Sequence, residues 1–135
     1  MTDYTIVFDG GSQGNGAANS RGYGSYQISA GKRAEIVRLE FPAGTTNNIA
    51  EWRSLIAALK DLAARIERAG KSPSAYTVEI KGDSQLVINQ AAGNWKVKQP
   101  HLRPLRDEAV GLLSRFKSLQ LTWQPREESV AVLGH

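Results

Sequence analysis

Three acidic residues occupy positions where their carboxylates could gather to bind a divalent cation. Asp9 and Asp83 each follow an apolar, β-branched segment, and Glu51 lies near the start of a long amphipathic segment. Because neighbouring buried carboxylates repel one another, a protein that keeps several together usually neutralises them with a cation. Magnesium prefers oxygen ligands and leaves coordination positions open for phosphate oxygens and water. The three acids therefore predict a magnesium site suited to phosphodiester hydrolysis.

Each of these acids also has a purely structural interpretation. Asp9 could start a turn at Gly10. Asp83 could cap the helix that follows it, and Glu51 could close a capping box with Asn48. Taken one at a time, the structural interpretations are favoured. Taken together, the metal site is favoured, because the topology predicted below brings Asp9 and Asp83 to one sheet edge and starts the Glu51 helix near it.

The elements that must position the acids are indicated by hydrophobic periodicity. Strands are predicted at 4–9, 23–28, 35–41, 76–81 and 119–124, with a loop at 12–22 and a hairpin turn at 29–33. Helices are predicted at 47–69, at about 85–92, and from Pro100 along an apolar face that ends at Phe116. Residues 126–135 could add one or two helical turns. The first strand is expected to end at Asp9, because two glycines then break the apolar pattern.

The resulting order of elements, βββαβαβ, predicts an α/β fold. Strand–helix–strand crossovers place helices on the faces of a sheet and make the later strands parallel to the first. If the first and fourth strands are neighbours, Asp9 and Asp83 lie side by side beyond the carboxyl ends of the strands, where ligands bind in such sheets. The sequence shows no internal repeat or linker, so we expect a single domain spanning residues 1–135.

The composition excludes several classes of protein and of functional site. A chain of 135 residues can bury a core without disulfides, and the absence of cysteine excludes a thiolate zinc site and a cysteine nucleophile. The formal charge of +4 and the pI of about 9.6 weakly favour a polyanionic partner. No apolar run reaches the length of a membrane span, and the first residues lack the form of a secretory signal. We therefore expect a soluble, cytoplasmic protein.

Three segments together resemble the signature segments of the type I ribonucleases H. They are Phe-Asp-Gly-Gly-Ser-Gln-Gly-Asn at 8–15, Thr-Asn-Asn-Ile-Ala-Glu at 46–51, and Gly-Asp-Ser-Gln at 82–85. The resemblance extends from residue 3 to about residue 128. It implies the ribonuclease H-like fold, with a mixed five-stranded sheet flanked by helices, and that sheet agrees with the element order derived from periodicity.

The resemblance also implies an activity. Asp9, Glu51 and Asp83 would hold two Mg²⁺ ions, for which Mn²⁺ could substitute, and the chain would hydrolyse the RNA strand of RNA/DNA hybrids as an endonuclease. The products would carry 5′-phosphate and 3′-hydroxyl ends. The enzyme would act as a monomer, with no membrane and no obligatory protein partner.

Further residues match family positions that contact the substrate. Gly10 and Gly11 would allow close backbone approach to the RNA. Ribose 2′-hydroxyls or minor-groove edges would be contacted by Ser12, Asn15, Asn48 and Gln85. Thr46 and Asn47 would grip phosphates of the DNA strand, although helix capping is an equally good interpretation of Thr46.

The segment around Trp95 carries an aromatic ring between cations. Trp95, Lys96 and Lys98 could follow the DNA backbone, or Trp95 could pack on the core while the lysines are solvated. Larger members of the family insert a basic helix here, whereas this chain passes directly to the Pro100 helix. The resemblance is therefore to a short form that lacks the basic protrusion, for which we expect weaker substrate affinity and a steep salt dependence.

The chain departs from the family at its C-terminal end. Family members carry a fourth Asp in a short final helix, but residues 129–135 contain none. His135 is the hypothesised replacement, since a neutral imidazole can bind a divalent metal, although a terminal His is commonly a solvated chain end. Glu127, Glu128 or water are the alternatives. Without a fourth ligand the chain could be an inactive hybrid-binding module, and another nuclease of the same fold is a further alternative.

Overall fold

The computed structural model describes residues 2–134 and contains one mixed sheet of five strands. The strands are β1 (Tyr4–Gln13), β2 (Arg21–Ala30), β3 (Arg33–Phe41), β4 (Thr77–Gly82) and β5 (Ser118–Trp123). The helices are α1 (Asn47–Arg68), α2 (Gln85–Ala91), α3 (Arg103–Leu113) and α4 (Arg126–Leu133), with short 3₁₀ turns at Pro73–Ala75 and Pro100–Leu102. The predicted order βββαβαβ and the short C-terminal helix are confirmed.

The sheet has an antiparallel half and a parallel half. The order across the sheet is β3-β2-β1-β4-β5. β1, β2 and β3 form antiparallel pairs, whereas β4 is parallel to both β1 and β5. The predicted neighbourhood of the first and fourth strands is therefore confirmed, and β1 is the strand at which antiparallel and parallel pairing meet.

The prediction that the first strand ends at Asp9 is wrong. β1 continues to Gln13, because β2 pairs with it past the glycines, with Gly10 opposite Gly24. Glycine weakens an isolated strand, but here the strand is stabilised by a partner that the local sequence does not reveal. The parallel ladder with β4 stops one residue before Asp9. Asp9 therefore lies at the end of the parallel ladder and inside the antiparallel one.

The connections in the antiparallel part are short. The loop after β1 covers residues 14–20 rather than the predicted 12–22, and Asn15 in it adopts a positive φ of 42°. The predicted hairpin turn is confirmed: Gly31 and Lys32 join β2 to β3, and Gly31 adopts a φ of 61°, which glycine tolerates without strain.

The main core lies between α1 and the sheet. Ile6 and Phe8 of β1 and Trp52 and Leu55 of α1 are fully buried. Apolar residues of α1 recur at three- and four-residue spacing, so one face of the helix packs on the sheet along its whole length. The most strongly predicted helix of the sequence is confirmed, and its first turn lies over β1.

The helix predicted to open at Pro100 begins later. Residues 100–102 form a 3₁₀ turn, and α3 begins at Arg103. Pro104 has no N–H to bond the carbonyl of Pro100, so the first turn cannot close as an α-helix. Phe116 is buried but lies beyond the end of α3. Among the described helices, none is long and apolar enough to span a membrane.

Candidate active site

The three predicted carboxylates come together. Carboxylate oxygens of Asp9, Glu51 and Asp83 all lie within 4.8 Å of one another. Asp9 is 3% exposed and Glu51 is 8% exposed, whereas Asp83 is half-buried and opens the cluster to solvent. Each acid comes from a different element, namely β1, α1 and the residue that follows β4. The fold therefore builds one partly open acidic cluster from three distant parts of the chain.

Glu51 reaches Asp9 because β1 and α1 approach unusually closely. A Cβ on Gly10 would lie 2.6 Å from the backbone nitrogen of Glu51 and against the carbonyl group of Ala50, distances at which no side chain fits. Farther along the helix, the hydroxyl of Ser54 occupies the space where Gly24 would otherwise carry a Cβ. Glycine in the two antiparallel strands thus lets the first turns of α1 rest on the sheet backbone.

Asp83 lies in the joint between β4 and α2. β4 ends at Gly82, and the hydroxyl of Ser84 caps α2 by accepting from the backbone N–H of Val87 at 3.2 Å. The carbonyl of Asp83 accepts a hydrogen bond from Nε1 of Trp123 at 3.1 Å. The cap of α2 is therefore Ser84, so the interpretation of Asp83 as a helix cap is wrong and its carboxylate is left for the cluster.

The capping interpretation of Glu51 is also wrong. α1 is capped by Thr46, whose hydroxyl accepts from the backbone N–H of Ile49 at 3.2 Å. Since Asn47 is the first residue of the helix, Glu51 lies beyond the position from which it could close a capping box. Thr46 therefore caps α1, which is one of the two roles predicted for it.

The electrostatics of the cluster favour a bound cation. Burial, followed by the charges of Asp9 and Asp83, raises the pKa of Glu51 well above its usual range. Burial and then Asp9 raise the pKa of Asp83, against an opposing effect of the Arg126 guanidinium. Oε2 of Glu51 is buried and has no hydrogen-bond partner among residues 2–134. A hard divalent cation would neutralise the acids and satisfy this oxygen, so the residues fit a magnesium-type ion.

Several predicted substrate-binding residues meet beside the cluster. The side-chain oxygen of Asn47 accepts from the backbone N–H of Ser12 at 2.7 Å, and that of Asn15 accepts from the backbone N–H of Asn47 at 3.0 Å. A polar cavity of about 350 Å³ is lined by Asn15, Thr46, Asn47, Asn48, Gln99 and His101. Sequence reasoning missed Gln99, because only the fold brings the 3₁₀ turn at 100–102 next to the start of α1.

The two glycines after Asp9 are covered by the chain itself. Gly10 faces the backbone of α1, and a Cβ on Gly11 would lie 2.5 Å from the hydroxyl of Tyr23. Close packing against the backbone of α1 is thus sufficient to require Gly10, whereas Gly11 meets only the outer end of the Tyr23 side chain. The predicted approach of both glycines to RNA remains a prediction. Gln85 is exposed at the start of α2, next to Asp83.

Trp95 does not pack in the core. Its side chain is 45% exposed, whereas Val97, two residues later, is buried. With Leu86 and Leu102, Trp95 lines an apolar cavity of about 530 Å³ beside the connection between α2 and α3. That connection, residues 92–99, contains no helix, in agreement with the predicted absence of a basic protrusion. Trp95 is therefore available to a partner.

The fourth ligand position is not filled by the described part of α4. Glu127 and Glu128 are exposed in its first turn and lie outside the group of three acids. His135, the hypothesised fourth ligand, lies outside the described residues. Sequence reasoning also missed Trp123. Its indole N–H donates to the carbonyl of Asp83 beside the cluster, and this hydrogen bond depends on the pairing of β4 with β5.

Comparison with known proteins identifies the family. Residues 9–132 match the family described as "Reverse transcriptase-like". The chain is 37% identical over 122 residues to "Bifunctional protein Rv2228c" of Mycobacterium tuberculosis and 35% identical over 119 residues to "Ribonuclease HI" of Halobacterium salinarum, covering 90% and 88% of this chain. The chain belongs to the type I ribonuclease H branch of this family. It spans only 31% and 55% of the length of those two relatives.

The solved structures agree with membership of the type I ribonucleases H. The chain matches a crystal structure of LC11-RNase H1 in complex with an RNA/DNA hybrid with a TM-score of 0.80 and 27% identity, over 95% of this chain and 89% of that one. The ribonuclease H-like fold predicted from the three signature segments is therefore confirmed.

Proposed function

We propose that this chain is a divalent-metal-dependent endonuclease that hydrolyses the RNA strand of RNA/DNA hybrids. The observation that carries the proposal is the cluster of Asp9, Glu51 and Asp83, in which a buried carboxylate oxygen has no partner in the described part of the chain. Membership of the type I ribonucleases H and the likeness to a hybrid-bound relative support the choice of substrate.

The three acids would hold the metal ions together. Asp9 comes from β1, Glu51 from α1 and Asp83 from the β4–α2 joint, and their carboxylate oxygens lie within 4.8 Å of one another. When bound there, two Mg²⁺ ions, or Mn²⁺ in their place, supply Lewis-acid activation of water and stabilise charge on the leaving oxygen. We expect this arrangement to leave 5′-phosphate and 3′-hydroxyl ends.

The hybrid would lie across the edge of the sheet where the cluster opens. Ser12, Asn15, Asn48 and Gln85 are proposed to contact the RNA strand, on which ribose hydroxyls distinguish it from DNA. Thr46, Asn47 and Trp95 are proposed to contact the DNA strand. Contacts to both strands would make cleavage depend on an RNA/DNA hybrid rather than on single-stranded RNA.

We propose His135 as the fourth metal ligand. It is the only residue after Glu128 whose side chain can bind a metal, and the described carboxylates of α4 do not reach the cluster. His135→Ala should slow magnesium-dependent cleavage without reducing hybrid binding. An unchanged rate in this variant would remove His135 from the mechanism and leave water in the fourth position.

The proposal is tested with three labelled duplexes of one sequence: RNA/DNA, DNA/DNA and RNA/RNA. Magnesium-dependent internal cuts confined to the RNA strand of the RNA/DNA duplex are expected. Binding of the hybrid without cleavage by any divalent metal would indicate an inactive hybrid-binding module instead. Cleavage of the all-DNA duplex at a similar rate would indicate another nuclease built on the same fold.

A further inference from the structure

Asp83 belongs to neither of the two elements it joins. The last residue pair of the β4–β5 ladder is Gly82 with Trp123, and one further backbone bond runs from the N–H of Gln124 to the carbonyl of Gly82 at 2.9 Å. α2 begins only after its cap, Ser84. Asp83 therefore lies in the joint between the end of a strand and the cap of a helix, where its carbonyl is bonded by a group from outside both elements.

Trp123 is that group. Its indole N–H donates to the carbonyl of Asp83 at 3.1 Å, from the strand position directly opposite Gly82. The indole is 43% exposed, so it is not a core side chain whose place is explained by burial. A large aromatic residue left half in solvent, with its one polar atom directed at the peptide of a candidate metal ligand, indicates a role in holding that peptide.

We propose that Trp123 is a positioning residue for the metal ligand Asp83. By fixing the peptide bond that follows Asp83, the indole N–H limits rotation of the Asp83 main chain and keeps its carboxylate within reach of Asp9 and Glu51. The acids repel one another before a cation binds, so the half-buried Asp83 would otherwise turn out toward solvent. This inference rests on the proposed metal-dependent function and adds a residue that acts through Asp83.

The test compares binding of Mn²⁺ alone, measured by calorimetry without nucleic acid, in four proteins. Trp123→Phe keeps an aromatic ring and removes the N–H, and it should weaken Mn²⁺ binding by roughly tenfold, the range seen when groups that orient a metal ligand are lost. Trp95→Phe is the matched control, because Trp95 is equally exposed (45%) but lies on the 92–99 connection, and its Mn²⁺ affinity should equal that of the wild type. Asp83→Asn should lose most of the binding.

The outcomes separate the two proposals. If Asp83→Asn and wild type bind Mn²⁺ equally well, the metal site itself is wrong. If Asp83→Asn loses binding while Trp123→Phe keeps it, only the role of Trp123 is overturned. A second measurement on the wild-type protein does not depend on the folding of any variant: hydrogen exchange of the indole N–H protons. Slower exchange at Trp123 than at Trp95 is expected, and equal exchange would overturn the proposal.

Discussion

The backbone of Gly10 lies so close to that of Glu51 that a Cβ on Gly10 would come within 2.6 Å of the Glu51 nitrogen. This contact sets the distance between the strand that carries Asp9 and the helix that carries Glu51. Gly10, which follows the candidate ligand Asp9, thus determines how closely the candidate ligand Glu51 can approach. The packing of the fold and the geometry of the site are coupled at this contact.

The first prediction follows from this contact. Gly10→Ala should lower the free energy of unfolding by about 3 kcal/mol, because the new methyl group overpacks against main-chain atoms that have no rotamer to change. It should also weaken Mn²⁺ binding, since α1 must move away with Glu51. Gly111→Ala is the control: nothing lies within 4 Å of its Cβ in α3, and replacing an exposed helical glycine should add about 0.5–1 kcal/mol. Chemical denaturation measures the free energy of unfolding of both variants. Equal changes in the two variants would contradict the close contact at Gly10.

The acidic cluster should cost stability when no metal is bound. Glu51→Gln removes a buried charge whose pKa is raised by burial and by Asp9 and Asp83. In EDTA we expect its melting temperature to exceed that of the wild type by about 3–5 °C, which is roughly 1 kcal/mol for a chain of this size. Because the folded state holds this proton more tightly than the unfolded state, the metal-free wild type should also lose stability as the pH rises above the usual pKa of a glutamate.

Magnesium should reverse the order of the melting temperatures of the wild type and Glu51→Gln. Addition of Mg²⁺ should raise the melting temperature of the wild type and have little effect on Glu51→Gln, since the ion binds the folded state through the carboxylates. Glu40→Gln, an exposed acid of β3, is the control and should behave as the wild type in both buffers. A Glu51→Gln protein that melts below the wild type in EDTA would show that the cluster is stabilised by contacts other than a cation.

Two substitutions separate the structural role of Asn47 from its proposed role in hybrid binding. Asn47→Ala removes the acceptor that holds the backbone N–H of Ser12 at 2.7 Å and should cost about 1 kcal/mol. Asn47→Asp keeps an acceptor and places a negative charge in the first turn of α1, which the helix dipole favours. Asn47→Asp should therefore retain stability but weaken hybrid binding, measured by fluorescence anisotropy, because the charge repels phosphate. Unchanged hybrid affinity in both variants would leave Asn47 with a structural role alone.

A partly buried network away from the cluster predicts a pH-dependent stability. Asp61 accepts hydrogen bonds from the Tyr26 hydroxyl at 2.7 Å and from two guanidinium nitrogens of Arg65 at 2.9 and 3.0 Å. Burial alone would raise the pKa of Asp61, but the bonds from Arg65 and Tyr26 outweigh it and lower the pKa below its usual value. This stabilisation is present above the unfolded-state pKa and is lost as the pH falls through the lowered value.

Asp61→Asn should therefore destabilise the protein by about 1–2 kcal/mol at neutral pH, and its deficit should shrink as the pH falls below about 4. The control is Glu67→Gln, which removes a solvent-exposed pair with Arg115 at 3.0 Å and should cost less than about 0.5 kcal/mol. Urea unfolding across the pH range distinguishes the two. A deficit for Asp61→Asn that stays constant with pH would contradict the assignment.

The sequence predicts most of what depends on periodicity. α1 was predicted to within a residue at its end because its apolar residues repeat over six turns. The order of strands and helices then placed Asp9 and Asp83 together, since parallel strands that are neighbours end at one edge. The acidic cluster therefore follows from the sequence pattern and chain topology.

What the sequence did not predict depends on partners distant in the chain. The extension of β1 past Gly10 requires the opposing strand β2, and the tie between Trp123 and Asp83 requires the register of β4 with β5. The sequence left the helix caps open, because Thr46, Asn48, Asp83 and Ser84 all belong to residue types that cap helices, and only the backbone shows which ones do so. Local sequence carries no information that would choose among them.

The three acids are proposed to cleave the RNA strand of a hybrid, and the decisive experiment compares the wild type with Asp9→Asn. The measurement is the initial rate of RNA-strand cleavage in Mg²⁺, taken with the dissociation constant for the same hybrid. Internal cuts in the RNA are expected from the wild type, and at least about a 100-fold lower rate is expected from Asp9→Asn, with hybrid affinity retained. Equal rates for the two proteins, or no cleavage by the wild type while it binds the hybrid, would contradict this role of the acids.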